Sequence, residues 1–288
     1  MSTEHIPTRE ATGRVWLITG ASSGFGRSIA EAALAVGDTV VATARRPEAL
    51  DDLVAAHPDR AVTARLDVTD GARIAAVVAE VILWYGRIDV LVNNAGLGLV
   101  GAVEETVDRE LRDLMELHFF GPAALTRAVL PHMRRQGSGA VVQMSSMGGR
   151  FSFAGVGAYS ATKFALEGLS EALAAEVAPF GIKVLIVEPG SFRTGFAGDG
   201  ALRQSAAIPA YEETVGSVRT ALPSTDGKQP GDPARAAEAI LAALEAEKTP
   251  LRLPLGNDAV DAVLAHLDAA RAQTLAWERV GRGTDFDD

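Results

Sequence analysis

Short apolar runs and longer amphipathic stretches alternate along this chain. Val15–Thr19 is an apolar run that ends at a glycine-rich turn, and similar runs stand at residues 39–44, 61–66, 88–93, 139–144 and 182–188. Continuous aliphatic runs of this length predict strands buried on both faces. Between them the spacing of apolar positions predicts helices over residues 25–36, 48–56, 70–85, 104–135 and 156–179. Strand and helix in strict alternation imply parallel strands joined by helical crossovers. The predicted fold is therefore α/β, a doubly wound parallel sheet of the Rossmann type in three α/β/α layers, with ligands at the carboxyl ends of the strands.

After residue 188 the pattern loosens, from PGSFRTGFAGDG through mixed residues to 228. It tightens again into a predicted helix at 233–247, a strand near 251–253 and a helix at 258–277. No break in composition marks a second domain. We expect an arm over residues 1–12, one Rossmann-type domain over 13–280 with a lid over the ligand site around 195–230, and a loose polar tail at 281–288.

Composition narrows the function classes. Hydrophobic residues at 48% and charged residues at 22% suit a globular protein of 288 residues. A net charge of -10 disfavours nucleic acid or an anionic membrane as partner. The absence of cysteine excludes disulfides, thiolate metal sites and a cysteine nucleophile. The five histidines show no metal-ligand spacing, so no metal is expected. The N-terminal residues carry no apolar stretch like a signal peptide, and no run approaches bilayer length, so a cytoplasmic protein is expected.

Candidate chemistry begins at the first turn, Thr19-Gly20-Ala21-Ser22-Ser23-Gly24-Phe25-Gly26. Gly20 suits a tight turn, Gly24 a close approach of pyrophosphate, and Gly26 close packing of the helix. The N–H groups at the helix start, with Ser22, Ser23 and Phe25 in the same segment, suit an anionic phosphate. The alternative is an ordinary tight turn. Sites for NAD place an acid at the end of the second strand, about 20 residues beyond the glycines. Here Ala44 is followed by Arg45 and Arg46, which suit a 2′-phosphate. NADP(H) is thus favoured over NAD(H), against the alternative of a solvated basic loop.

Tyr159 and Lys163 lie four apart on one predicted helix, and Ser145 and Ser146 close the strand before it. Bringing a tyrosine from about 10 to neutrality takes about 4 kcal/mol. An ammonium at about 4–5 Å and an effective dielectric near 20 supplies about 3–4 kcal/mol of it. The pair is a candidate general acid/base, or else surface decoration of an amphipathic helix.

Taken together, TGASSGFG, Asp67-Val68, Asn93-Asn94-Ala95-Gly96, Ser146, Tyr159-x-x-x-Lys163 and Pro189-Gly190 resemble the short-chain dehydrogenase/reductase family in its shorter single-domain branch, in order from about residue 15 to 194. The resemblance implies Tyr159 as proton donor or acceptor, Lys163 as its partner and a ligand of the nicotinamide ribose, and Ser146 on the substrate oxygen. It further implies Asp67 and Val68 at the adenine, Asn94, Ala95 and Gly96 along the cofactor, and Pro189, Gly190 and Thr194 at the nicotinamide end. Family assembly implies a homodimer or homotetramer.

One position departs from the family. Where an asparagine commonly supports a proton relay, this chain has His118, in Leu117-His118-Phe119-Phe120-Gly121. A modified relay and a buried structural histidine are both open. Leu97, Leu99, Met147, Phe151, Phe153, Val156, Phe192 and Phe196 suggest an apolar pocket for a hydrophobic carbonyl or alcohol. The expected activity is carbonyl and secondary-alcohol interconversion. The competing readings are a catalytically impaired dinucleotide-binding regulatory protein, and epimerase or dehydratase chemistry.

Overall fold

The computed structural model describes residues 9–11, 13–198 and 200–286. Residues 1–8 and 12 of the expected arm, and 287–288 of the expected tail, lie outside the described residues. In chain order the elements are β1 Val15–Thr19, α1 Gly24–Ala35, β2 Thr39–Ala44, α2 Asp51–Ala56, β3 Ala61–Arg65, α3 Gly71–Tyr85, β4 Val90–Asn93, β5 Gly98–Val100, α4 Asp108–Met115 and α5 Gly121–Gln136. They continue with β6 Gly139–Met144, α6 Gly157–Val177, β7 Ile182–Pro189, β8 Leu202–Gln204, α7 Glu212–Ser224, α8 Pro233–Glu245, β9 Arg252–Leu255, α9 Asn257–Ala276 and α10 Glu278–Arg282.

Seven strands pair in the order β3-β2-β1-β4-β6-β7-β9, parallel throughout. The strands are buried on both faces, so alternate residues feed two separate cores. Trp16, Ile18, Val40, Ala42, Val90 and Val92 point to the layer that holds α1 and α8. Val15, Leu17, Val41, Leu91 and Val141 point to the layer of α3 and α5. Complete burial of a side chain such as Leu17 contributes about 1.5–3 kcal/mol. The indole N–H of Trp16, also fully buried, donates to Asp38 Oδ2 at 2.8 Å, which satisfies its one polar atom.

The chain order reverses between β1 and β4, the switch point where a crevice opens at the strand ends. Thr19 and Asn94 lace the two strands together there. Thr19 Oγ1 accepts from the N–H groups of Asn94 (2.9 Å) and Ala95 (3.1 Å) and donates to the Val92 carbonyl (3.2 Å). Asn94 Nδ2 donates back to the carbonyls of Thr19 (2.9 Å) and Gly20 (3.1 Å).

Three local expectations change. The helix predicted over residues 104–135 begins at Asp108, and a π-helical turn over Glu116–Phe120 interrupts it around His118. Such single-turn bulges cluster at functional sites. Gly121 then passes so close to β3's outgoing chain that a Cβ would meet the Val68 carbonyl at 2.4 Å. The irregular stretch around 195–230 contains the 13-residue helix α7. Finally, β5 and β8 form a small parallel pair, with Leu99 opposite Arg203, that the pattern of the sequence did not show.

Candidate active site

A cavity of ≈ 770 Å³ opens at the carboxyl ends of β1, β2, β4, β6 and β7. One wall is the glycine turn. Gly24 has φ +54°, and a Cβ on it would lie 3.0 Å from Thr194 Cβ, so only glycine leaves the space between them open. Gly26 lies behind that wall, where a Cβ would collide with Asn94 Nδ2 and the Gly20 carbonyl, both at 2.4 Å. Ser23 is the N-cap of α1 but makes no side-chain capping bond, so the first N–H groups of a 12-residue helix face the crevice. Gly20, Ser22, Ser23, Gly24 and Phe25 line the cavity.

Next to this turn stand Arg45, Asp67, Val68 and Thr69. Partial burial opposes the charge of Asp67, but the Thr69 N–H (3.0 Å) and hydroxyl (2.8 Å) and nearby Arg45 hold its carboxyl below the usual range. Arg45 faces the cavity; Arg46 is exposed and is not part of the wall. Asn94, Ala95 and Gly96 continue the wall, and Pro189, Gly190 and Thr194 lie opposite. These groups fit a nicotinamide dinucleotide: an open glycine cradle at a helix start, a basic residue at the end of β2 and a carboxylate beyond it.

Ser146, Tyr159 and Lys163 meet at the other side of the crevice. Ser146 follows β6 and accepts from the Gly148 N–H at 3.0 Å. Tyr159 and Lys163 lie one turn apart on α6, with Nζ 5.6 Å from the phenol ring centre. Burial pushes the Tyr159 phenol up to about 12, eased slightly by its hydrogen bond with Ser146. Burial also brings the Lys163 ammonium down to about 8, against the pull of Glu167 one turn on. Lys163 donates to the Met144 carbonyl at 2.8 Å. The lysine therefore does not bring the tyrosine to neutrality in the protein alone. Tyr159 rests as a neutral phenol, the form that can give a proton.

The adjacent Ser145 belongs to a different set of contacts. Its hydroxyl donates to Glu167 Oε1 at 2.7 Å, deep in the protein. Glu167 and the fully buried Glu188 share Arg252 (3.2 and 3.4 Å), and Arg150 reaches Glu188 at 3.1 Å. Burial, and then the neighbouring Glu167, holds the Glu188 carboxyl well above its ordinary range. This network ties the ends of β6, β7 and β9 to α6, directly behind Ser146.

His118 is buried at 1% exposure, and both ring nitrogens are engaged. Nε2 accepts the Leu97 N–H at 3.1 Å, so the proton sits on Nδ1 and is donated to Thr162 Oγ1 at 2.9 Å. Thr162 in turn donates to the Tyr159 carbonyl at 2.7 Å. Burial and the Lys163 charge hold the ring far below its ordinary pKa, hence neutral. It meets the Tyr159 ring edge-on at 5.6 Å. Both nitrogens of His118 are thus held, by Leu97 and by Thr162, and the residue links the loop after β4 to the Tyr159 turn.

Of the apolar residues expected around the substrate, Leu97, Leu99, Met147, Phe153, Val156, Phe192 and Phe196 line the cavity. Phe192 does so while packed on Phe25 at 5.1 Å. Phe151 turns away and packs on His266 of α9 at 5.7 Å. The cavity is also lined by residues to which the sequence did not point, among them Leu66, Thr69, Leu202, Leu222, Thr225 and Gln229. Leu66 and Thr69 flank Asp67-Val68 and were open to inference from it. The other four carry no local signal.

A fold and site of this kind define a nicotinamide-dinucleotide-dependent oxidoreductase. The sequence model of the family described as short chain dehydrogenase matches residues 14–203. An oxidoreductase designated BOA17, from Botryotinia fuckeliana (strain B05.10), is 39% identical over 93% of this chain and 97% of its own length. The crystal structure of a short-chain dehydrogenase from Streptomyces avermitilis is 66% identical, superposes with a TM-score of 0.90, and covers 95% of this chain and 100% of its own. A metagenomic short-chain oxidoreductase solved in complex with NADP is 30% identical at a TM-score of 0.66, over 85% and 97% of the two chains. The chain belongs to the short-chain dehydrogenase/reductase family.

Proposed function

We propose that the protein is an NADP(H)-dependent oxidoreductase that interconverts a carbonyl and a secondary alcohol on a hydrophobic small molecule, acting as a homo-oligomer in the cytoplasm. The observation that carries the chemistry is the convergence of Ser146, Tyr159 and Lys163 on one cavity with the glycine turn and Arg45. When bound, the dinucleotide supplies the hydride; the chain supplies position, charge and the proton.

In this reading the helix start at Gly20, Ser22, Ser23, Gly24 and Phe25 holds the pyrophosphate, with Gly26 allowing α1 to pack. Arg45 pairs with the 2′-phosphate, and Arg46 adds only a distant positive charge. Asp67 and Val68 bound the adenine, while Asn94, Ala95, Gly96, Pro189, Gly190 and Thr194 hold the rest of the dinucleotide. Ser146 polarises the substrate carbonyl, and Tyr159 donates its proton to the carbonyl oxygen. Lys163 carries the compensating charge on the nicotinamide ribose side. His118 is a positioning residue, holding Leu97 and the Tyr159 turn in register.

No helix among the described residues is long and apolar enough to cross a membrane. Exposed Leu111, Phe120, Phe164 and Leu169, on α4, the π-helical turn and α6, support assembly, which light scattering measures.

The activity is tested by following NADPH oxidation at 340 nm against a panel of apolar ketones, with NADH in parallel. Turnover with preference for NADPH is expected. Tight NADPH binding with no ketone reduced would return the regulatory reading to first place.

A further inference from the structure

Residues 224–230 run along the surface, and every one is exposed except Gln229, which is 5% exposed and forms part of the cavity wall. Its backbone is fixed. The Gln229 carbonyl accepts from Arg193 Nη2 at 3.0 Å, and Gly231 zips against Ser191 and Arg193 through two bonds of 3.0 Å. The chain that carries Gln229 is thereby tied beside the turn that carries Thr194. Its side-chain Oε1, in contrast, is buried without a hydrogen-bond partner among the described residues. A buried amide oxygen left unpaired costs free energy, so its retention calls for a partner, and a bound ligand is one that completes it. Ser160 Oγ is also unpartnered at this wall, but it sits on α6 beside Tyr159, within the machinery already described.

Resting on the reductase reading above, we propose that Gln229 is a substrate-recognition residue and that the substrate is a ketone carrying a hydroxyl remote from the reacting carbonyl. Gln229 shares the cavity wall with the apolar Leu99, Met147, Val156, Phe196 and Leu222 and with the polar Arg203 and Thr225. An apolar body satisfies the apolar side chains and leaves the amide unpaired. A hydroxyl both donates and accepts, so it pairs with the amide in either orientation.

The test compares pairs of apolar ketones that differ only by a remote hydroxyl, in wild type and in Gln229→Met, which keeps the length and removes the polar atoms. Gln229→Glu restores an acceptor and guards against a misfolded methionine variant. A hydrogen bond of ordinary net strength predicts that kcat/KM favours the hydroxylated ketone about fivefold to tenfold in wild type, falling to about one in Gln229→Met. The preference returns in part in Gln229→Glu. The same pairs are titrated calorimetrically into the NADP-loaded Tyr159→Phe variant, with and without Gln229→Met, which reads binding without turnover. Hydroxyl-selective binding that Gln229→Met abolishes, without turnover in wild type, upholds this inference and removes the reductase reading. Turnover without hydroxyl preference does the reverse. A Gln229→Met variant that weakens NADPH itself assigns the amide to the cofactor and overturns the proposal, and neither turnover nor selective binding on any pair removes both.

Discussion

The two ends of the cavity are built by different means. The end at β1 and β4 is made of strand termini and backbone, laced by Thr19 and Asn94 through hydrogen bonds of 2.9–3.2 Å. The far end is a surface segment tethered at a few side chains. Its main anchor is Glu105, 4% exposed, which accepts from the N–H groups of Ala102 (2.6 Å) and Ile208 (2.8 Å) and pairs with Arg219 at 2.6 Å. Those two N–H groups, more than the guanidinium, hold its carboxyl below the ordinary range. In the proposed reading this difference divides the functions between the two ends. Holding a dinucleotide and moving a proton need fixed geometry that a sheet supplies, whereas recognising one substrate needs only a few side chains on an adaptable wall.

The strongest way to break this division is to disable the chemistry at the rigid end. Lys163→Met should lower reductive turnover by about 10²- to 10⁴-fold, the range of one lost proton-transfer partner, and single-turnover kinetics read it directly. Arg45→Glu should lower the NADPH-to-NADH preference by about 10- to 100-fold, because it exchanges a charge-assisted bond for a repulsion. An unchanged ratio would place the 2′-phosphate elsewhere.

Acidity sharpens the comparison. Burial brings Lys163 to about 8, so the cation is present below that pH and is lost above it. Reductive kcat/KM should be flat below about pH 8 and fall by about tenfold per unit above it. A rise above pH 8 would show that the neutral amine is the working form. The smallest effect belongs to the far end: Glu105→Gln should speed limited proteolysis of residues 205–219 while NADPH affinity, measured by fluorescence, stays as in wild type. Loss of NADPH affinity would mean that the two ends are one unit.

The same division explains what could be read from the chain. Uniform apolar runs made the strands of the main sheet visible, and the spacing of Tyr159 from Lys163 and the glycine turn made the rigid site visible, because both are local in sequence. The π-helical turn ends at Gly121, which packs against the carbonyl of Val68, a contact between distant segments. The β5–β8 pair joins residues about a hundred positions apart. Helix α7 holds Gly216 and Pro223 within it, which hid its helical pattern. His118 was legible as a departure from the family, but its role was not: Leu97 and Thr162 take up both nitrogens, and neither neighbour can be read from residue 118. Gln229 lies in a stretch whose polarity predicts exposure, and only the pairing of Gly231 with Ser191 and Arg193 turns it inward.

In the proposed reaction Tyr159 delivers the proton while the dinucleotide delivers the hydride. The most direct measurement mixes deuterium-labelled NADPH with a reducible apolar ketone in a single turnover, in wild type and in Tyr159→Phe with cofactor binding confirmed. One deuterium on the carbinol carbon in wild type, with formation of labelled alcohol reduced by about 10²- to 10⁴-fold in the variant, is the predicted result. Labelled alcohol formed at equal rates by both proteins would contradict it.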